Sequence, residues 1–136
     1  MSVASFNGDG QSSGIIAMPL TFTKDGSLSV NSYLRIDNVV GPSAGYKIVG
    51  NSRLIGVSVS CQTAATSGGL FTLRYRSVLS TWLVVTGSDC PLVSGQYSAA
   101  YTYDIVLPTD VELTMYYSLG SSLTNVVATA FIRLES

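Results

Sequence analysis

The chain has 136 residues, only 11% of them charged, and a formal net charge of −1. Average soluble proteins carry about 25% charged residues, and here hydroxyl groups fill the gap, with 21 Ser and 12 Thr. Seven scattered Lys and Arg residues cannot neutralise a run of phosphates, so nucleic acid is excluded as an expected partner. A chain with so few charged residues is expected to bury much of its surface in an assembly. An extracellular setting is the alternative explanation for the low charge.

The first 14 residues are mostly Gly, Ser, Asn, Gln and Asp with little to bury, and we predict a polar, flexible arm over 1–17 and one β-sandwich domain over 18–136. Pro19 favours an edge position for the first strand, and Lys24–Ser27 (KDGS) is predicted to be a turn. Turn signals recur every ~8–12 residues, which predicts an all-β antiparallel sandwich of jelly-roll type with about 8–9 strands. The predicted strands are Ile15–Thr23, Leu28–Ile36, Tyr46–Val49, Leu54–Thr63, Leu70–Arg76, Thr81–Thr86, Tyr97–Leu107, Val111–Ser118 and Val126–Leu134.

The stretch LIGVSVSCQT, residues 54–63, alternates between two kinds of side chain. Period two predicts a strand with one apolar face, which places Ile55, Val57, Val59 and Cys61 in the core. The other face carries Gly56, Ser58 and Ser60, which are smaller than typical solvent-facing residues. We interpret this small, neutral face as a surface for close approach by a neighbouring subunit.

The chain offers few groups for catalysis or metal binding. It contains no histidine, the usual base for a Ser or Cys nucleophile, and it has no CxxC pair. Asp110 and Glu112 share a face, but a turn acid and a solvent-facing strand residue explain them better than a glycosidase pair. We therefore predict a protein that is not an enzyme, with no catalytic residue, metal or cofactor. Cys61 and Cys90 are predicted to be free, buried thiols rather than a disulfide.

Membrane association is not expected, because no apolar run approaches ~20 residues. The N-terminus has neither the basic nor the apolar region of a Sec signal peptide, so we expect synthesis in a cytoplasm without export by that route.

Two sets of side chains have several possible roles. Tyr97, Tyr101 and Tyr103 share one parity of a strand and fit a sandwich core, a subunit interface or a ligand platform. Arg74 and Arg76 share a strand face and fit either an interfacial ion pair with a neighbouring subunit or a solvated face.

The order of the later strands resembles that of small trimeric jelly rolls used by tailed bacteriophages as head-decoration proteins, head fibres and fibre tips. These proteins are similar in architecture to the globular heads of the complement and tumour-necrosis-factor families. The resemblance covers about residues 44–136 and includes a Gly-Gly hairpin. It is carried by AGYKI (Ala44–Ile48), LIGVSVS (Leu54–Ser60), FTLRYRS (Phe71–Ser77), DVELTMYYS (Asp110–Ser118) and NVVATAFIRL (Asn125–Leu134).

The resemblance implies a homotrimer with one sheet of each subunit facing the three-fold axis. It also implies that the N-terminal arm attaches the trimer to the major capsid protein at the virion surface. Candidate arm contacts are Val3, Phe6, Ile15 and Ile16. The candidate subunit-interface residues are Gly56, Ser58, Ser60, Arg74, Arg76, Tyr97, Tyr101 and Tyr103.

Two other functions remain open. One is a carbohydrate- or receptor-binding module at a fibre tip, with a host-surface glycan as its partner. Its stacking candidates would be Tyr33, Tyr97, Tyr101, Tyr103, Tyr116 and Trp82. The other is a jelly-roll coat protein of a small virus, which is disfavoured because the first 23 residues contain no Lys or Arg.

Overall fold

The computed structural model describes residues 17–36, 45–63, 65–77 and 81–135. These residues form ten β-strands, and none of them belongs to a helix that could cross a membrane. The strands are β1 (Ala17–Leu28), β2 (Ser32–Tyr33), β3 (Tyr46–Ile48), β4 (Asn51–Ser60), β5 (Gly69–Arg76), β6 (Leu83–Val84), β7 (Cys90–Leu92), β8 (Ser98–Leu107), β9 (Val111–Gly120) and β10 (Leu123–Glu135).

The strands form two antiparallel sheets. The first sheet has the order β1-β10-β4-β8, and the second has the order β2-β9-β5-β6, with β3 also paired to β9 and β7 also paired to β5. Because β2 and β3 pair with successive parts of β9, they act as one interrupted strand, and β6 and β7 do the same along β5. The ten segments thus occupy eight positions, in the orders 1-8-3-6 and 2-7-4-5, which is a jelly roll and confirms the predicted fold class.

The core lies between the inner faces of the two sheets, where β4, β9 and β10 bury alternate residues over most of their length, whereas β8 buries only Leu107. The ring of Phe22 in β1 meets the ring of Tyr46 in β3 edge-on at 5.3 Å, and Phe71 lies 4.8 Å from Tyr117. The Phe22–Tyr46 contact joins the two sheets, whereas Phe71 and Tyr117 are cross-strand neighbours within the second sheet, where their packing fills the core.

A β-bulge interrupts the alternation of β4. Leu54 pairs with Ile132 and Gly56 pairs with Phe131, so Ile55 is an extra residue without a partner on β10. The bulge turns Leu54 inward, where it is 0% exposed, and leaves Ile55 partly exposed. The predicted core position of Ile55 is therefore wrong, whereas Val57, Val59 and Cys61 are buried as predicted.

The first strand is longer than the sequence pattern suggested. The KDGS segment is not a turn, because β1 continues through it to Leu28 with a register irregularity between Lys24 and Ser27. Strand β1 is the edge strand of its sheet, as predicted from Pro19: it pairs with β10 along its length, and on its other side the described residues add one isolated bridge, from Thr23 to Arg35. The predicted arm contacts at Val3, Phe6, Ile15 and Ile16 lie outside the described residues.

Candidate functional site

The outer face of the first sheet carries small, neutral side chains on three adjacent strands, β10, β4 and the edge strand β8. Cross-strand partners share a face, so the register defines rows across β10, β4 and β8. Three successive rows contain no charged residue; they are Phe131–Gly56–Thr102, Thr129–Ser58–Ala100 and Val127–Ser60–Ser98. Gly56, Ser58 and Ser60 therefore lie together on one surface, which we call the neutral face.

A shallow apolar groove crosses this neutral face. Ala17, Ile55, Ala100 and Phe131 contribute to its lining. A Cβ atom placed on Gly56 would lie 3.5 Å from the side chain of Phe131, which is an ordinary contact distance. Packing within the chain therefore does not require glycine at this position, and its small size leaves the groove open to something outside the protomer.

A network of ion pairs lies beside the neutral rows on the same face. Arg53 contacts Asp104 at 2.7 Å and Glu135 at 3.2 Å, and Arg133 contacts Glu135 at 2.9 Å. Arg53 and Arg133 are direct cross-strand neighbours, so Glu135 offsets a repulsion between two like charges. Hydrogen bonds from Arg133 and Arg53 lower the pKa of Glu135, and hydrogen bonds to Asp104 and Glu135 raise the pKa of Arg53. The network holds two positive and two negative groups, so it adds no net charge beside the neutral rows.

The tyrosines of β8 connect the edges of the two sheets. Tyr101 donates a hydrogen bond to the carbonyl of Pro91 at 3.0 Å, and Tyr103 donates one to the carbonyl of Asp89. Burial raises the pKa of Tyr103. Both phenols thus hold β8 to the β7 segment of the other sheet, whereas Tyr97, before the start of β8, is 58% exposed.

The outer face of the second sheet carries arginines stacked on aromatic rings. The guanidinium of Arg74 lies 3.8 Å from the centre of the Tyr116 ring, and its Nη1 donates a hydrogen bond to Tyr33 Oη at 3.1 Å. Arg76 pairs with Glu112 at 3.0 Å and lies 4.3 Å from the centre of the Trp82 ring. We call this arrangement the arginine–aromatic cluster.

The eight candidate interface residues are thus divided among three places. Gly56, Ser58 and Ser60 lie on the neutral face, Arg74 and Arg76 lie on the opposite side of the sandwich, and the three tyrosines lie in or next to β8 at the edge. One flat interface cannot include all of them.

Sequence reasoning missed the residues that complete the neutral face. Ile55, Ala100, Thr129 and Phe131 were not selected, because the strand order that brings β10 and β8 beside β4 is not visible in a single sequence. The only available signal was the alternation of β10 itself, in which Thr129 and Phe131 have the parity opposite to the core residues.

The two cysteines are free and buried, as predicted. Burial raises the pKa of the Cys90 thiol to about 12 and also raises the pKa of Cys61. Cys90 is therefore a neutral, apolar core residue at physiological pH.

Comparisons with known proteins concern the fold alone. No protein-family model matches the chain, and no curated protein matches it significantly. The globular domain of zebrafish complement 1qA protein is 9% identical over 87% of this chain and 97% of its own, with a TM-score of 0.45. The Eiger TNF structure from S. frugiperda is 8% identical over 88% of this chain and 94% of its own, also with a TM-score of 0.45.

Proposed function

We propose that the protein is a non-enzymatic structural protein that forms a homotrimer through the neutral face, and that it decorates the surface of a virus capsid. The observation that supports self-association is the neutral face itself, with its apolar groove and with small residues that intramolecular packing does not require. The occupant that we assign to this face is a second copy of the chain.

Two features of the first sheet suit a closed ring of identical copies. Strand β8 is an edge strand next to the neutral face, so its unpaired backbone groups would be covered together with that face. In a cyclic trimer each contact joins two different surfaces of the same chain, for example the β8 edge of one protomer and the groove of the next. The three-fold order rests on the resemblance of the sequence pattern to trimeric phage jelly rolls.

The proposed virion role assigns attachment to the predicted arm, 1–17, of which the last residue, Ala17, already belongs to β1, so residues 1–16 are left to contact the capsid. A trimer would present three such segments, and simultaneous binding of three weak segments multiplies their affinity. Because the sequence predicts a flexible arm, its contacts with the capsid protein would have to offset about 1–2 kcal/mol of backbone entropy for each residue that binding orders.

Self-association is tested by placing a charge on the neutral face. Ser58→Lys should abolish the trimer, because it introduces three unpaired ammonium groups where the protomers meet. Ser118→Lys is the matched control, because Ser118 is a serine of similar exposure in a strand of the other sheet. The measurement is molar mass by light scattering and sedimentation equilibrium at micromolar concentration. The proposal fails if the wild-type chain is monomeric, or if Ser58→Lys stays as trimeric as the control.

Attachment is tested separately by co-sedimentation with capsids of the virus that encodes the chain. A variant without residues 1–16 keeps all of β1, so it should remain trimeric while losing capsid binding. Capsid binding by the truncated trimer would contradict the assigned role of the arm without affecting the evidence for the trimer.

A further inference from the structure

The arginine–aromatic cluster contains a cation, Arg74, that no acidic side chain in the described part of the chain neutralises. Arg74 forms no ion pair within the described residues, and its one hydrogen bond is the bond from Nη1 to Tyr33. Its Nε is buried without a hydrogen-bond partner, and so is Oγ1 of Thr114, the residue opposite Arg74 on β9. A partly buried guanidinium with unused donors loses hydration on folding and regains little from the protein.

The surrounding rings hold this guanidinium in place. Tyr116 lies against it at 3.8 Å and Tyr33 lies at 5.7 Å, while the two rings meet each other at 4.6 Å. Both tyrosines are partly exposed. The cluster therefore offers a fixed planar donor group beside aromatic surfaces, and little side-chain entropy is left to lose when a ligand binds.

The charge of this region is opposite to that of the whole chain. Arg74, Arg76 and Lys47 carry positive charge, and Glu112, the cross-strand partner of both Lys47 and Arg76, is the one acid among these four residues. The local charge of the four is +2, whereas the chain as a whole has −1. Such a patch attracts an anion and raises its association rate.

We propose that the arginine–aromatic cluster is a binding site for the carboxylate of an acidic saccharide. The guanidinium of Arg74 donates to the carboxylate through the Nη hydrogens that Tyr33 does not use, since Nε is buried. The rings of Tyr33 and Tyr116 pack against the apolar face of the sugar, and their hydroxyls exchange hydrogen bonds with sugar hydroxyls. A neutral sugar would leave the charge of Arg74 unmatched, and an acidic peptide would gain less from the flat aromatic surfaces. The site lies on the side of the sandwich opposite the neutral face, so it does not depend on the proposed trimer.

The direct test is a titration of the full-length protein, followed by NMR. The probes are 3′-sialyllactose and tri-galacturonic acid, with lactose and galactotriose as neutral counterparts. The expected result is saturable shifts of the Arg74 Nε–H and Trp82 indole signals with the acidic sugars alone, and weaker binding as salt is raised from 50 to 200 mM. Equal shifts with the neutral sugars, or no saturable shift up to ~10 mM of either acidic sugar, would overturn the proposal.

Two substitutions with opposite expected effects on affinity distinguish a binding role of the cluster from a purely structural one. Arg74→Gln should weaken acidic-sugar binding about tenfold or more, because a charge-assisted contact is lost. Arg133→Gln, on the neutral-face side, is the matched control and should leave binding unchanged. Glu112→Gln should tighten binding, because it removes the one acid of the patch, and a damaged fold cannot produce a gain of this kind. Unchanged or weaker binding in Glu112→Gln would contradict the proposal. Stronger binding of a poly-glutamate peptide than of both sugars, with the same dependence on Arg74, would overturn the saccharide assignment.

Discussion

Because of the bulge in β4, we predict stability losses at Leu54 and Ile55 that are opposite to those expected from strict alternation. Period-two reading places Ile55 in the core and Leu54 outside, whereas the structure places Leu54 inside at 0% exposure and leaves Ile55 partly exposed beside the groove. The variants Leu54→Ala and Ile55→Ala remove aliphatic groups of similar size from adjacent positions. Their effects on the free energy of unfolding should therefore differ strongly, in the order set by the bulge.

The size of the difference follows from burial. Leu54→Ala removes a fully buried side chain and leaves a cavity between the sheets, which costs about 3–5 kcal/mol. Ile55→Ala removes a side chain that keeps part of its contact with water, so the loss within one protomer should stay below about 1 kcal/mol. A difference of about 2 kcal/mol or more is well above the error of chemical denaturation.

The assay is urea unfolding followed by circular dichroism at several protein concentrations. The cost of Leu54→Ala should be the same at every concentration, because the contact lies inside the protomer. Any further cost of Ile55→Ala should grow with protein concentration, because an interface contributes by mass action. Equal costs for the two variants at low concentration, or a larger cost for Ile55→Ala there, would refute the bulge and the inward position of Leu54.

Three further predictions concern other parts of the fold. Gly69→Ala should destabilise the protomer by about 1–3 kcal/mol, because a Cβ there would lie 2.7 Å from the buried Tyr117 ring. Gly56→Ala is the control: its Cβ would have its nearest contact at 3.5 Å, so protomer stability should change little in the same urea assay. Asp110→Ala should cost about 1–2 kcal/mol in thermal unfolding, and Asp110→Asn should cost much less, because Asp110 has a φ of 56° and its carboxylate accepts a 2.6 Å hydrogen bond from the facing loop. The free energy of unfolding should fall as pH rises from about 8.5 toward 12, because burial raises the pKa of Cys90 to about 12. Over this range the folded chain keeps the thiol proton that the unfolded chain releases, so rising pH favours unfolding. Cys90→Ala should flatten this decline in urea titrations between pH 7 and 10.

Much of the fold was predictable because it depends on local pattern. Alternation identified most of the long strands, and Pro19 identified the edge strand, because a residue without an N–H is poorly suited to a central strand. The bulge at Ile55 was not predictable, because one inserted residue changes which side chains face inward without changing their apolar character. The KDGS segment misled for a similar reason, since turn residues also suit an irregularity within a strand.

The candidate sites were predictable only in part. The small residues on one parity of β4 were visible in the sequence, and they do share a face, because parity is a local property. The arginine–aromatic cluster combines residues of β2, β5 and β9, which are far apart in the sequence and meet only through the pairing of the second sheet, with Trp82, which follows β5 closely. Arg74 and Tyr33 are 41 residues apart, so no spacing rule within one segment relates them.

The charged groups on one outer face have partners within the sheet, whereas a charged group on the other face does not. This difference decides which face is suited to burial in an interface. Covering the neutral face removes hydroxyl, aliphatic and aromatic groups from water, and the charges beside it already have partners within the same sheet. Covering the opposite face would remove Arg74 from water while no acid among the described residues compensates its charge, and an uncompensated charge costs several kcal/mol to bury. A neighbouring copy offers no excess of acid at its own neutral face to supply that partner. The proposed self-association is therefore expected through the first sheet, and it would leave the arginine–aromatic cluster on the outside of the proposed trimer, where the proposed anionic ligand could reach it.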